Sequence, residues 1–76
     1  MTLDEAIKSY SESVLVAINI TPNPTQKGSW IVLMHDREGK SHFLVSDSKD
    51  VLSFQTVDDA VKILKAIGFR RAKLLF

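Results

Sequence analysis

The chain has 76 residues, a formal net charge of +1, 45% apolar and 25% charged residues, and a mean hydropathy of +0.03. That length holds one domain with a thin core, and the composition argues against a disordered chain. There are no cysteines, so no disulfide framework is available and a reducing, cytoplasmic setting is expected. The N-terminal MTLDEAIK is polar and acidic, without an apolar signal region behind a basic start. No apolar run approaches the roughly 20 residues of a membrane span, so no membrane contact is expected.

In chain order, the spacing of Leu3, Ala6, Ile7, Tyr10, Val14, Ala17 and Ile18 predicts an amphipathic helix over 3–19. Thr2 suits its N-cap, and Asp4 and Glu5 suit its dipole. Residues 14–20 also fit a strand after a shorter helix, because they are rich in β-branched side chains and follow the weak helix formers Ser11 and Ser13. TPNPTQKG, residues 21–28, is a connector, since each proline breaks a helix and extends the residue before it.

Strands at 29–36 and 40–46 then form a hairpin. Asp36-Arg37-Glu38-Gly39-Lys40 fits a type I turn with Gly39 in the left-handed region. That loop pairs Asp36 with Lys40 and Leu33 with Phe43. One hairpin face carries Ile31, Leu33, Phe43 and Val45, and the other carries Trp30, Val32, Met34, His42 and Leu44. Both faces are largely apolar. A turn at 47–50 leads to a short strand at 51–54.

Thr56 N-caps a helix over 57–67, with Asp58 and Asp59 in its first turn and Gly68 placed to end it. Val57, Ala60, Val61, Leu64 and Ile67 form its apolar stripe. A final strand spans 70–75, where Ala72, Leu74 and Phe76 alternate with Arg71, Lys73 and Leu75.

The expected architecture is a small single α+β domain. Its four-stranded, mostly antiparallel sheet has the order 3-2-1-4, counting the strands at 29–36, 40–46, 51–54 and 70–75. The last strand closes a right-handed crossover and runs parallel to 29–36. Strands covered on both sides read as continuous apolar runs, and WIVLM is of that kind. One face of the hairpin is assigned to the C-terminal helix. The other goes to the N-terminal helix or to a second copy of the chain.

No catalytic residues are assigned. His35 and His42 fall on opposite faces and fall short of a metal ligand set. The carboxylates sit in turns and helix starts, and the serines lack a nucleophile elbow. Gly28, Gly39 and Gly68 are too far apart for a phosphate loop. No enzyme, metal or cofactor is therefore expected.

The preferred function is a cytoplasmic protein-interaction module, homodimeric or with another protein partner. Its expected interface holds Trp30, Val32, Met34 and Leu44, joined by Tyr10, because apolar patches rich in Trp and Met mark interfaces. The alternative is a nucleic-acid-binding accessory protein, with DNA as the candidate ligand. Residues 1–61 hold five basic and nine acidic side chains, whereas 62–76 hold five basic and none acidic. Lys65, Arg70, Arg71 and Lys73, with Arg37 and Lys40 at the hairpin tip, would supply the phosphate contacts.

Overall fold

A computed structural model describes residues 1–75; the expected alternation at Phe76 lies outside the described residues. The element order is α1 (Leu3–Ser11), β1 (Leu15–Pro22), β2 (Trp30–Asp36), β3 (Ser41–Phe43), α2 (Val57–Ile67) and β4 (Lys73–Leu74). The sheet is four-stranded in the order β3-β2-β1-β4. Two of its pairs are antiparallel and the β1–β4 pair is parallel. The small α+β class, the mostly antiparallel sheet and the helix before the last strand are as the pattern predicts.

The strand inventory differs. The helix expected over 3–19 stops at Ser11. Ser13 turns the chain with φ at +62°, and the Val14 amide closes the turn on the Ser9 carbonyl at 2.8 Å. The β-branched run after it then becomes β1, a central strand. Its Leu15, Ile18 and Ile20 are buried. Burial on a pleated surface adds to their intrinsic strand preference and overrides the helical spacing.

Because β1 takes the place beside β2, the last strand is parallel to β1 instead of to 29–36. That last strand is only Lys73–Leu74, shorter than 70–75. The expected strand at 51–54 is not a ladder strand. Its two ends bridge different neighbours, Val51 to Val45 and Phe54 to Trp30, so it runs obliquely past the sheet corner. Likewise β3 is regular only over Ser41–Phe43 within the expected 40–46.

α2 matches its expected bounds because both ends are chemically marked. The Thr56 hydroxyl accepts the Asp59 amide at 3.1 Å. At the other end Gly68 has φ at +118°, and the Gly68 and Phe69 amides both return to the Leu64 carbonyl at 3.1 Å. α1 begins with a reciprocal cap in which Thr2 and Glu5 satisfy each other's backbone amides.

Both helices pack on one side of the sheet. Ile18, Ile20, Val32, Met34 and Leu44 project from the strands into a core with Ala6 of α1, Ala60, Leu64 and Ile67 of α2, and Phe69. The N-terminal helix therefore does not cover the second face. That face carries Ile31, Leu33, Phe43 and Val45 as the hairpin register predicts, since Leu33 pairs with Phe43 and the Asp36 amide bonds the Lys40 carbonyl at 2.8 Å.

Candidate interaction surfaces

The open sheet face is apolar at one corner. Phe43 is 44% exposed and Val51 is 46% exposed. Leu33 and Val45 are half-buried beside them. Ile31 is buried, and Asn23, Pro24, Thr25 and Gln26 line a recess with it, Phe43 and Val51. That loop is held in shape by local bonds: Asn23 Oδ1 accepts the Thr25 amide at 3.0 Å and the Thr25 hydroxyl at 2.9 Å. The Ser29 hydroxyl donates to the Gln26 carbonyl at 2.9 Å.

The opposite corner of the same face is polar and basic. Asn19 Nδ2 lies 2.9 Å from His35 Nε2, and Ser41 Oγ lies 3.0 Å from His35 Nδ1. A neutral imidazole with its proton on Nδ1 satisfies both partners. Arg71 and Lys73 stand with Asn19 and His35 around a shallow recess of about 450 Å³. Lys73 reaches this face because it pairs with Asn19.

The hairpin tip is a separate, internally neutralised feature. Asp36 Oδ1 accepts the Glu38 and Lys40 amides, each at 2.9 Å, and His42 Nε2 donates to Asp36 Oδ2 at 2.9 Å. The His42 bond, followed by the Lys40 and Glu38 amides, holds the Asp36 carboxyl below the usual aspartate range.

A second recess, of about 420 Å³, lies between α2 and the chain leaving it. Its floor is Val61, Leu64 and Phe69, and Lys65, Arg70 and Arg71 border it. Among the described residues no group of three or more His, Cys, Asp or Glu side chains is placed to hold a metal ion, and no helix is long and apolar enough to cross a membrane.

No family model matches the chain, and no curated protein or solved structure matches it either. The surfaces are therefore read from their own chemistry.

Three of the expected interface residues are core residues. Val32, Met34 and Leu44 are fully buried, because α1 and α2 both sit over their side of the sheet. Trp30 is half-buried at the edge of that core, and its backbone pairs with Phe54. Tyr10 is half-buried with its ring 4.4 Å from that of Phe69. Trp30 lies near the start of α2 and Tyr10 near its end, so they share no surface.

Of the expected cationic set, Lys65, Arg70 and Arg71 share one recess, while Arg71 and Lys73 share the other. Arg37 and Lys40, at the hairpin tip between β2 and β3, line neither of these recesses.

Leu33, Phe43, Val45 and Val51 are the exposed apolar group that the Trp30-centred reading passed over. One signal favours them as the open face. Their face also carries Asn19, His35, Ser41 and Lys73, whereas the other has no polar side chain between Trp30 and Met34 along β2.

Proposed function

We propose that this chain is a protein-interaction module that pairs with a second copy of itself through the open sheet face. The observation that carries the reading is the apolar corner where Phe43 and Val51 are exposed beside half-buried Leu33 and Val45, on a face to which neither helix contributes core. Contiguous exposed apolar surface of this kind marks contact sites, and two-fold dimers are the commonest soluble assemblies. Charge supports a copy of the same chain as the partner. Asp47 and Asp50 flank the turn beside Val45 and Val51, with Lys49 between them and the Met1 amino group on the neighbouring Phe43 carbonyl, while Arg71 and Lys73 occupy the diagonally opposite corner. A two-fold axis along the other diagonal stacks the faces with strands near right angles, a known mode of sheet packing. It sets Asp47 and Asp50 of each copy toward Arg71 and Lys73 of the other, an attraction that Lys49 and the Met1 amino group partly offset. The cysteine-free composition suits a reducing, cytoplasmic setting for such a module.

The test is solution mass by light scattering over a wide dilution series at low and high salt. The expected mass at high concentration is twice 8.5 kDa, falling with dilution and salt. A Phe43→Asp variant should remain folded by circular dichroism yet stay monomeric. A wild-type chain that is monomeric at every concentration would overturn the reading.

Nucleic-acid binding is the second reading, favoured by the grouping of Lys65, Arg70 and Arg71 with no bordering carboxylate among the described residues. It requires affinity that falls steeply with salt and is lost in an Arg70→Glu, Arg71→Glu variant.

A further inference from the structure

The recess beside α2 differs in kind from the open sheet face. Its floor is apolar: Leu64 and Phe69 are buried and Val61 is half-buried. Among the described residues its charged border is entirely cationic, from Lys65, Arg70 and Arg71. The acidic residues of α2, Asp58 and Asp59, lie in the first turn, at the far end of the helix. The recess thus offers one apolar socket ringed by three positive charges.

Beside it runs a sheet edge, β4, with which no strand pairs on its outer side among the described residues. Leu75 donates its amide to the Ile20 carbonyl at 2.8 Å, which turns the Leu75 backbone toward β1. Backbone groups alternate along a strand, so the Leu74 amide and carbonyl point away from the sheet. The other edge of the sheet is already occupied. The Met1 amino group bonds the Phe43 carbonyl at 3.1 Å, and the Met1 carbonyl accepts the Val45 amide at 2.8 Å. An extended chain can therefore add at β4 but not beside Phe43 on β3.

We infer that β4 and the recess together bind an extended acidic peptide segment of another protein. The segment adds to the sheet edge through Leu74. It places one bulky apolar side chain on Val61, Leu64 and Phe69, and pairs flanking carboxylates with Lys65, Arg70 and Arg71. This is strand addition, in which main-chain bonds hold the peptide and a side-chain socket selects it. Arginine suits the carboxylates because its planar fork bonds them in bidentate fashion. A nucleic acid fits the site less well. The Phe69 ring is 8% exposed and packed on Tyr10, so it offers no face on which a base can stack.

The experiment is fluorescence anisotropy with a short fluorescein-labelled peptide of glutamates around a central leucine. Three comparison probes are used: the same peptide with lysine for glutamate, the same peptide with serine for the leucine, and a single-stranded oligonucleotide of matching charge. Saturable binding of the first peptide alone is expected. It should weaken by about tenfold or more, corresponding to about 1.4 kcal/mol, in a Lys65→Glu, Arg70→Glu variant. Neither residue borders the recess on the sheet face, so self-association should be unchanged in that variant. A Leu74→Pro variant, which removes an outward donor on an edge strand, should lose binding while keeping its helical circular dichroism. Three results would overturn the inference: no saturable binding at low salt, equal binding of the serine peptide, or binding of the oligonucleotide in preference to the peptide.

Discussion

Leu44 and Phe43 are neighbours in the chain and face opposite sides of the sheet, so truncating each in turn separates core from contact surface. Leu44 is 0% exposed and packs under both helices. Removing its side chain loses the transfer energy of the buried methyl groups and leaves a cavity, together about 2–5 kcal/mol. A chain of 76 residues is held by roughly 4–11 kcal/mol in all, at about 0.05–0.15 kcal/mol per residue. Leu44→Ala should therefore remove between about a fifth of the stability and nearly all of it. With a urea slope of roughly 1 kcal/mol per molar for so small a domain, the midpoint should fall by about 2 M or more. Phe43 is 44% exposed, so Phe43→Ala should change the stability of the dilute monomer by no more than ~0.5 kcal/mol. At high concentration it should also forfeit the extra stability that the proposed self-association would give the wild type. Urea unfolding, followed by Trp30 fluorescence and circular dichroism at two widely separated protein concentrations, reads both effects. A loss of under ~1 kcal/mol for Leu44→Ala would refute its placement in the core. So would a loss present only at high concentration, which would return Leu44 to an interface.

The remaining predictions concern local chemistry. Gly68→Ala should cost more than ~1 kcal/mol, since φ is +118° and the new Cβ would stand 2.9 Å from Tyr10 Cε2. Part of that loss should disappear in a Tyr10→Ala background, and a double-mutant cycle in urea measures the coupling. Thr56→Ala should cost about 1 kcal/mol, because the Asp59 amide loses its acceptor; an unchanged melting curve would remove the cap from the account. The Asp36 carboxyl is held below its ordinary range by His42 and by the Lys40 and Glu38 amides. The stability it contributes is therefore complete above the ordinary aspartate range and lost as pH falls through the depressed folded value. Carboxyl titration by NMR should show Asp36 moving back up in His42→Ala, and an unmoved titration there would separate the two groups.

The legible elements are those with chemical marks at both ends. α2 is bounded by Thr56 and Gly68, and nothing between them competes with the helix. The hairpin register follows from one loop, in which Gly39 adopts φ +85° and returns its amide to the Asp36 carbonyl at 3.0 Å. β1 was obscured because its residues satisfy two periods at once. Val14, Ala17 and Ile18 continue the helical stripe of α1, yet Ile18 and Ile20 also alternate as in a strand. Only the turn at Ser13 and the β-branched content separate the two, and neither marks an end as firmly as a glycine or proline. The segment 51–54 was over-read for the opposite reason. Its apolar residues have strand-like composition, but its two ends pair with different strands.

The identity of the open face is not legible for one further reason: alternation divides a strand into two faces without saying which the helices take. The missing information is geometric and follows once β1 is recognised. For L-residues, the side to which a residue directs its amide and carbonyl also fixes the face of its side chain. The Leu44 amide bonds the Val32 carbonyl at 3.1 Å, so Val32 and Leu44 bond across the hairpin, while Leu33 bonds toward β1. β3 and β4 run parallel, so α2 is a crossover between them and should pass on the right-handed side. Strand order, hydrogen-bond phase and crossover hand together select one face for α2. That face is the one bearing Val32, Met34 and Leu44. α1 is joined to β1 by a tight turn at Ser13 and packs beside α2, placing Ala6 in the same core. With both helices committed to that side, Phe43 is exposed as a consequence of topology. The 44% of Phe43 left exposed finds no apolar cover among the described residues, which is the physical reason to test that face for an outside contact.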